Sequence, residues 1–522
     1  MTIPDILVLG AGSNSLVTAC YLAKAGLSVS VFEKNAQPGG GVVSVETAPG
    51  FIQDTHAMGY MTCLANPALR NNELELETRF GLEWAYCEAP FASIFDDGQG
   101  LISYTDLDAT CAEISRFSAR DVDAYRKLVA QADELLPILT RSFYAPPMPD
   151  AGFTKLLNAS EFGRGLAADM KGSVIDFLNA RFESPIVKMH FAKWAGELMT
   201  GPDALGTGLT LYLLLGLSHR YRMGTVVGGS ANLTRALVRC LEYHGGTLET
   251  GRGVRRTVVE NGRCVGLEMD DGEIVRASKA VVANIHPWRL GDLVAGVPDD
   301  VVARAAAVKL SEYGAINQQI ALTERPRWKA GDRYEVATLI ECLRNDWDHF
   351  TASFEGFRRG EMRLDHLGPL ANTQSNIDPS RAPPGKAALY LYAFAPLELK
   401  GGWDARKQEV ADAVWDWFAS FTENMDRSKI IARLIETPED HARHSPNMMK
   451  GDIMGIAMTD GQLLGARPTP DLSSYRVPGI AGLYLAGPTS HPGGTVTLGG
   501  RATAMTMYDD LGIDLRTGFI NW

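Results

Sequence analysis

The sequence has few cysteines, and their spacing gives no sign of a disulfide framework or a zinc site. Seven cysteines occur in 522 residues and no two form a C-x-x-C pair. They are scattered along the chain, at Cys20, Cys63, Cys87, Cys111, Cys240, Cys264 and Cys342. An odd, dispersed set of this kind is typical of a protein from a reducing compartment, so we predict a cytoplasmic location and no bound metal.

The sequence also lacks basic clusters and long apolar runs. The net charge is −12, and no Lys/Arg block could neutralise a phosphate backbone, so we expect no nucleic-acid partner. The N-terminal "MTIPDILVLGAG" has neither the charged start nor the cleavage site of a secretory signal. The most apolar later stretch, residues 205–217, is shorter than the roughly 18 to 20 residues of a membrane span. It predicts a buried helix or a segment in peripheral contact with a membrane.

The strongest motif is "GAGSNS", residues 10–15, which lies between a predicted strand and a predicted helix. The preceding "DILVLG" is typical of a parallel strand buried on both faces. Apolar residues then recur at helical spacing from Asn14, and Gly26 stands at the expected helix end. A second strand, "LSVSVF", is followed by Glu33, close to the spacing of about 20 residues at which a carboxylate meets a nucleotide ribose. This unit predicts a dinucleotide-binding turn.

One position departs from the G-x-G-x-x-G pattern, because Ser15 stands where the third glycine belongs. Gly10 permits the tight turn, and Gly12 leaves room for a diphosphate at the helix N-terminus. Ser15 is small enough to keep the helix close to the strand. A glycine cluster downstream would let the backbone pass close to a long ligand; it consists of Gly39, Gly40 and Gly41.

The remaining segments predict a mixture of helical and α/β regions. Residues 104–200 are largely helical in pattern, and residues 223–284 return to α/β character with hairpin turns at Asn261-Gly262 and Asp271-Gly272. "ALYLYAFAP" predicts another buried strand, and "GLYLAG" predicts a strand near the end of the chain. A closing helix is expected from about Gly500.

Three segments together resemble the FAD oxidoreductases related to phytoene desaturase, within the wider group of amine-oxidase-like flavoproteins. They are "LVLGAGSNSLVTACYLAKAGLSVSVFEKNAQPGGG", "GGSANLTRALVRCLEYHGG" and "GLYLAGPTSHPGG…GGRATAM". The later part of the chain, including "IDPSRAPPGKAALYLYAFAP", is similar to the branch called pyridine nucleotide-disulfide oxidoreductase domain-containing protein 2. The resemblance covers most of the chain and is weakest in the helical region.

The resemblance implies an α/β fold with a Rossmann-like FAD-binding domain, made of a parallel sheet and a small antiparallel sheet. An α+β substrate domain and a helical cap would be inserted into it. We predict that residues 1–95, 226–290 and 441–522 build the FAD-binding domain. Residues 96–225 would form the helical cap, and residues 291–440 the sheet and helices of the substrate domain.

Cofactor contacts follow from the same resemblance. Gly10, Gly12, Asn14 and Ser15 would form the diphosphate turn, and Glu33 would bind the adenosine ribose. The backbone of Val254 would hold the adenine. The resemblance also assigns further residues to the cofactor: Lys34, Gly39, Gly40, Gly487, Pro492, Gly493, Gly494, Thr495 and Val496. The sequence departs from the family at Ser15 and Thr495, where glycine is common, and in the "TLGGRA" that follows.

Three residues are candidates for the base that removes a proton from the substrate. His491 precedes the predicted flavin loop, and His56 and Tyr221 lie in "QDTHAMGY" and "SHRYR". A base is needed because a desaturation transfers hydride to flavin N5 while a proton leaves the neighbouring carbon. Each of the three could equally have a structural role.

The function predicted from these features is FAD-dependent dehydrogenation of a C–C bond in a small apolar, unsaturated or cyclic substrate. A polyene isomerase that needs reduced flavin, an amine oxidase, and a non-catalytic lipid- or prenyl-binding scaffold are the alternatives. The sequence has neither a second G-x-G-x-x-G nor a C-x-x-C, so the electron acceptor would be oxygen, a quinone or another carrier. The sequence allows a homo-oligomer.

Overall fold

The computed structural model of the chain describes residues 3–148 and 150–520. The strands are β1 Ile6–Leu9, β2 Val29–Phe32, β3 Ser44–Ala48, β4 Phe51–Asp54, β5 Trp84–Tyr86, β6 Ala89–Phe95, β7 Gly100–Ser103, β8 Gly224–Val226, β9 Thr247–Glu249, β10 Val254–Glu260, β11 Arg263–Met269, β12 Ile274–Arg276, β13 Ala280–Ala283, β14 Gly314–Leu322, β15 Ala337–Leu343, β16 Leu370–Thr373, β17 Ala387–Ala395, β18 Ile430–Glu436 and β19 Leu483–Leu485.

The helices are α1 Ser13–Lys24, α2 Pro67–Arg70, α3 Leu107–Ser115, α4 Ala119–Phe143, α5 Asp150–Asn158, α6 Glu161–Lys171, α7 Val174–Arg181, α8 Pro185–Gly196, α9 Thr210–Arg220, α10 Ala231–Tyr243, α11 Leu290–Leu293, α12 Asp299–Ala306, α13 Trp347–Arg358, α14 Gln374–Ile377, α15 Trp403–Ser420, α16 Pro438–His444 and α17 Gly500–Asp510. Within the described ranges, no helix combines the length and the apolar character that crossing a bilayer requires.

A parallel five-stranded sheet carries the predicted dinucleotide-binding turn. Its strand order is β19-β13-β1-β2-β9, so β1 lies in the middle with β2 on one side and β13 on the other. Ile6, Leu7 and Val8 of β1 are fully buried, as expected for a strand covered on both faces. The chain leaves β1 at the point where the strand order reverses direction, which is where open α/β sheets bind ligands.

A small antiparallel sheet and a large mixed sheet accompany it. Strands β10, β11 and β12 pair antiparallel, and their connections are the two turns predicted at Asn261-Gly262 and Asp271-Gly272. The large sheet has seven strands in the order β18-β14-β17-β16-β15-β6-β7. Every residue of its central strands β14 and β17 is buried. The combination of parallel and antiparallel sheets confirms the predicted α/β fold class.

Helices α3 to α9 form the helical region of the chain. The apolar stretch at 205–217 contributes to α9, whose Leu211 and Leu215 are fully buried against the neighbouring helices. The prediction of a buried helix there is therefore confirmed. The large hydrophobic cluster beneath these helices includes Trp194, which lies on α8.

The domain limits remain a proposal. Strand β6 pairs in parallel with β15 of the seven-stranded sheet, from Ala89 opposite Ala337 to Phe95 opposite Leu343. For this reason we propose that the first cofactor-domain segment ends before Ala89 and that the substrate domain begins there. The other domain limits are those predicted from the sequence.

Two helices from opposite ends of the chain pack side by side against the parallel sheet. Thr18 on α1 donates a hydrogen bond from Oγ1 to the backbone oxygen of Gly500, the first residue of α17, at 2.9 Å. A Cβ atom at Gly500 would lie only 1.9 Å from the backbone oxygen of Asn14. Glycine is thus required for α17 to approach α1 this closely.

Candidate functional site

The turn after β1 is shaped by its glycines and by Asn284, the residue that directly follows β13. Gly10 has a φ of +85°, a conformation that glycine adopts readily. Cβ atoms at Gly10 and Gly12 would lie 3.5 and 3.2 Å from the side chain of Asn284. A Cβ at Gly487 would lie 2.2 Å from Asn284 Oδ1. Asn284 therefore brings the first turn and the closing segment of the chain together.

The first helix offers an anion site at its N-terminus. Gly12 is the N-cap of α1, no side chain caps the helix, and no acidic residue lies in its first turn. The unpaired N–H groups and the helix dipole of such an end favour a negatively charged group. Asn14 Oδ1 and Ser15 Oγ are buried without a hydrogen-bond partner among the described residues. These features fit the diphosphate of a dinucleotide.

The glycine cluster lies directly against this turn. The N–H of Gly39 donates to the backbone oxygen of Ala11 at 2.9 Å. Gly39 and Gly40 have φ values of +127° and +62°, and a Cβ at Gly39 would lie 2.4 Å from the oxygen of Val42. Side chains are therefore excluded from this loop, and the backbone itself borders the cavity.

The acidic residue after β2 faces the same turn. Glu33 is 7% exposed, and its carboxylate accepts hydrogen bonds from the N–H groups of Ala11 at 2.8 Å and Asn35 at 2.9 Å. Lys34 is exposed. Val254 begins β10, two residues after Arg252, whose N–H donates to the Glu33 backbone oxygen. Glu33, Lys34 and Val254 are not part of the cavity lining, and their predicted contacts with an adenosine remain predictions.

The closing segment forms the opposite wall. Gly494, Thr495 and Val496 line the cavity, whereas Gly487, Pro492 and Gly493 are not part of its lining. Thr62 fixes the loop, because its hydroxyl lies 3.1 Å from Thr495 Oγ1 and donates to the Val496 oxygen at 2.9 Å. The loop thus holds its shape through contacts with a distant part of the chain.

A buried arginine supports this segment from behind. Arg467 is fully buried and donates to the backbone oxygens of Pro488 at 2.9 Å and Ala457 at 3.1 Å. Burial lowers the pKa of its guanidinium to about 9. A Cβ at Gly493 would collide with the guanidinium. No motif in the sequence marks this arginine, because its role depends on backbone oxygens of the irregular segments that flank it, such as those of Ala457 and Pro488.

The cavity continues from the glycine loops into an apolar chamber, with a total volume of about 300 Å³. The chamber lies where α8, α9 and the seven-stranded sheet approach the first turn. Most of its lining is apolar or aromatic, including Trp194, Leu198, Met199, Leu214, Met223, Leu339, Tyr390 and Tyr392. Pockets of this size with few polar groups are typical of small-molecule sites.

One charged group reaches this apolar chamber. Glu197 accepts a hydrogen bond from Tyr392 Oη at 2.7 Å and another from Lys193 Nζ at 3.1 Å. The same Lys193 Nζ lies 3.1 Å from Glu341, which is fully buried. Burial and the nearby Glu197 raise the pKa of Glu341 well above its ordinary value. One lysine thus contacts two carboxyl groups, of which the buried Glu341 favours its protonated form.

The three residues predicted as candidate bases lie in different places. His56 lines the cavity, and neither of its ring nitrogens has a hydrogen-bond partner among the described residues. His491 is buried outside the lining, and its Nε2 donates to the backbone oxygen of Ser142 at 2.7 Å. Tyr221 contacts Arg70 in a separate cleft. The structure brings only His56 of these three to the cavity, and the catalytic assignments remain predictions.

Acid is expected to destabilise the protein in part through His491. Burial lowers the pKa of its imidazole from an ordinary 6.5 to about 4. Between these two pH values the unfolded chain binds more protons than the native chain. The contribution of His491 to the free energy of unfolding is therefore fully present above about pH 6.5 and is lost as the pH falls towards 4. Between about pH 7.5 and about pH 4.5, the free energy of unfolding of the wild type should fall by roughly 2 kcal/mol more than that of the His491→Asn variant.

Denaturant titrations across this pH range would measure the effect. His244→Asn is the matched control, because His244 lies at the C-terminal end of α10 and is only partly buried. Equal pH slopes for wild type and His491→Asn would show that His491 is protonated with an ordinary pKa.

Residues 16–497 match the family model described as flavin containing amine oxidoreductase. Pyridine nucleotide-disulfide oxidoreductase domain-containing protein 2 of Mus musculus is 29% identical, over 97% of this chain and 94% of the relative. A limonene dehydrogenase component from Castellaniella defragrans is 25% identical, over 98% of this chain and 95% of the relative. Phytoene desaturases are more distant relatives.

A solved structure shows the same fold. An oxidoreductase from Methanosarcina mazei has a TM-score of 0.63 and 16% identity, over 97% of this chain and 99% of that one. The resemblance inferred from the three glycine-containing segments is therefore confirmed, together with the predicted cofactor. The chain belongs to the flavin-containing amine oxidoreductase family and is an FAD-dependent oxidoreductase.

Proposed function

We propose that the protein dehydrogenates a C–C bond of an apolar, unsaturated or cyclic substrate. The observation that carries this proposal is the apolar chamber, which opens directly onto the glycine loops and contains a single tyrosine–carboxylate pair, Tyr392–Glu197. An apolar chamber excludes water and favours a hydrocarbon skeleton. One relative is named as a component of a limonene dehydrogenase and others as phytoene desaturases, which supports the same class of reaction.

We assign the cofactor contacts as the sequence predicts them. The N-terminus of α1, with Gly12 and Asn14, would hold the diphosphate, and Glu33 would bind the adenosine ribose. The backbone of Val254 would meet the adenine, and Gly494 to Val496 would lie beside the ring system. Gly10 and Ser15 would complete the diphosphate turn, and Lys34, Gly39 and Gly40 would line the cofactor. Gly487, Pro492 and Gly493 would lie against its diphosphate, ribityl chain and ring. When bound, FAD supplies the hydride acceptor, and the protein supplies orientation and exclusion of water.

The proton that leaves the substrate needs an acceptor in the chamber. Glu197 supplies it in our proposal, because it borders the cavity with a side chain 21% exposed and is held in place by Tyr392. Lys193 donates a hydrogen bond to Glu197, while burial favours the protonated form of Glu341. His56 is the other basic group at the cavity surface. His491 and Tyr221 would then have structural roles.

Amine oxidation is the second candidate. A carboxylate beside aromatic rings can bind a cationic nitrogen, and the rings of Tyr390 and Tyr392 lie 6.1 Å apart near Glu197. This arrangement was not expected from the sequence, in which the loop at residues 493–500 offers no aromatic residues.

We also propose that oxygen, a quinone or another carrier accepts the electrons from the reduced flavin. The cytoplasmic location predicted from the sequence is kept as part of the proposal.

Anaerobic reduction of the bound flavin distinguishes the two candidates. The purified yellow protein would be mixed with cyclic terpenes, linear polyenes and primary amines, and the flavin absorbance near about 450 nm would be followed. We expect bleaching by a hydrocarbon from the panel and none by the amines. Bleaching by amines alone would show that the dehydrogenation proposal is wrong. Product analysis by mass spectrometry would confirm a loss of two hydrogens.

A further inference from the structure

Behind the glycine loop, three segments bring two histidines and a glutamate together. His56 follows β4, Glu436 ends β18, and His441 lies on α16. Each side chain offers one ligand atom to a metal, and these three atoms lie within 4.8 Å of one another. The imidazole rings of His56 and His441 have centroids 5.2 Å apart and are nearly perpendicular.

The cluster has an unusual excess of unsatisfied polar atoms. Both ring nitrogens of His56, both ring nitrogens of His441 and Oε2 of Glu436 are buried without a hydrogen-bond partner among the described residues. Buried polar atoms are nearly always paired, and leaving one unpaired costs about 1–3 kcal/mol. Five such atoms on three neighbouring side chains point to a ligand that the three residues share, each of them offering one atom.

The surrounding groups are already engaged and do not compete for the same space. Asp440 accepts from Lys407 Nζ at 2.8 Å and completes a capping box with Thr437, which fixes the first turn of α16. His444 donates from Nε2 to the backbone oxygen of Gly40 at 3.0 Å. The backbone that carries His441 is thus held in place, and the same helix contacts the glycine loop.

We propose that His56, Glu436 and His441 bind one divalent transition-metal ion, with Zn²⁺ as the best match. Two imidazoles and a carboxylate form a ligand set that Zn²⁺ prefers, and three protein ligands leave a fourth position for water. Small side-chain rotations bring the ligand atoms from their present separation to the roughly 3.4 Å that tetrahedral coordination requires. This proposal replaces the prediction of no metal, which rested on the spacing of cysteines and other ligand residues in the sequence.

The ion would act as a structural clamp. His56 lines the cavity, and a Cβ at Gly41 would lie 4.0 Å from His56 Cβ, so the ion would fix this wall of the cavity. Glu436 lies at the edge of the seven-stranded sheet. One ion would therefore join the glycine loop region to that sheet. The inference does not depend on the proposed substrate.

Metal binding can be measured on the full flavoprotein, prepared without a histidine tag and treated with a chelator. Equilibrium dialysis against Zn²⁺ with elemental analysis should give one ion per chain, and Co²⁺ should give the visible absorption of a tetrahedral site. Glu436→Gln and His441→Asn should each weaken Zn²⁺ binding by at least about 100-fold, since even a residue outside the ligand set changes metal affinity by about 10–100-fold.

His244→Asn is the matched control and should bind Zn²⁺ like the wild type, because His244 lies at the end of α10, away from the cluster. Melting curves and flavin absorbance would verify that each variant is folded, and Glu436→Gln, which keeps the side-chain shape, tests the proposal if His441→Asn does not fold. A wild type that binds no Zn²⁺ at about 100 μM, or ligand variants that retain one ion per chain, would overturn it.

Discussion

Replacing Gly500 with valine is expected to abolish flavin retention and to destabilise the fold by more than about 3 kcal/mol. A Cβ at this position would lie 1.9 Å from the backbone oxygen of Asn14 and 2.7 Å from Thr18 Oγ1. A backbone atom cannot rotate out of the way as the end of a flexible side chain can. The clash can therefore be relieved only if α17 moves away from α1. The N-terminus of α1, which would hold the diphosphate, then loses the support of α17.

The ratio of flavin to protein absorbance and the thermal midpoint of the purified variant measure this effect. Gly165→Ala is the matched control: Gly165 lies in α6, has nothing within 4 Å of an added Cβ, and gains helix propensity. A yellow Gly500→Val protein with a wild-type midpoint would show that the two helices are not packed as described.

Replacing Glu197 with glutamine is expected to slow the reduction of the bound flavin by substrate roughly 10²- to 10³-fold. The amide keeps the hydrogen bond to Tyr392 and the shape of the chamber, but it cannot accept a proton. Stopped-flow measurement of anaerobic flavin bleaching at saturating substrate gives the rate constant of this step directly. Flavin content and thermal midpoint should remain close to those of the wild type.

Glu341→Gln provides a close control, because Glu341 contacts the same lysine and is fully buried. Burial raises the pKa of Glu341 well above its ordinary value, so its carboxyl group favours the protonated form and the neutral amide should change the rate less than about threefold. If Glu341→Gln is slow and Glu197→Gln is fast, the charge resides on Glu341 and the proposed proton acceptor is wrong.

The sequence is sufficient to predict the first turn because the relevant physics is local. The apolar run of β1, the left-handed conformation at Gly10 and the helical period after Asn14 are each encoded within a few residues. The hairpin at Asn261-Gly262 is predictable for the same reason, since both residues adopt positive φ.

The polar groups of the cavity depend instead on contacts between distant segments. Lys193 and Glu197 have the i, i+4 spacing of an ordinary surface pair, and nothing local shows that Lys193 is 2% exposed beside Glu341. Asn284 is more accessible to prediction, because a polar residue directly after a buried parallel strand lies at the ligand-binding edge of the sheet. The position of His491 relative to Ser142 could not be inferred from spacing.

The contact between Thr18 and Gly500 has a further consequence for biosynthesis. Gly500, the first residue of the helix against which α1 packs, is synthesised 482 residues after Thr18. At roughly 5–20 residues per second, the ribosome exposes an unfinished nucleotide cleft for on the order of half a minute or longer. We therefore expect flavin to be loaded after translation, once the last helix has closed the cleft.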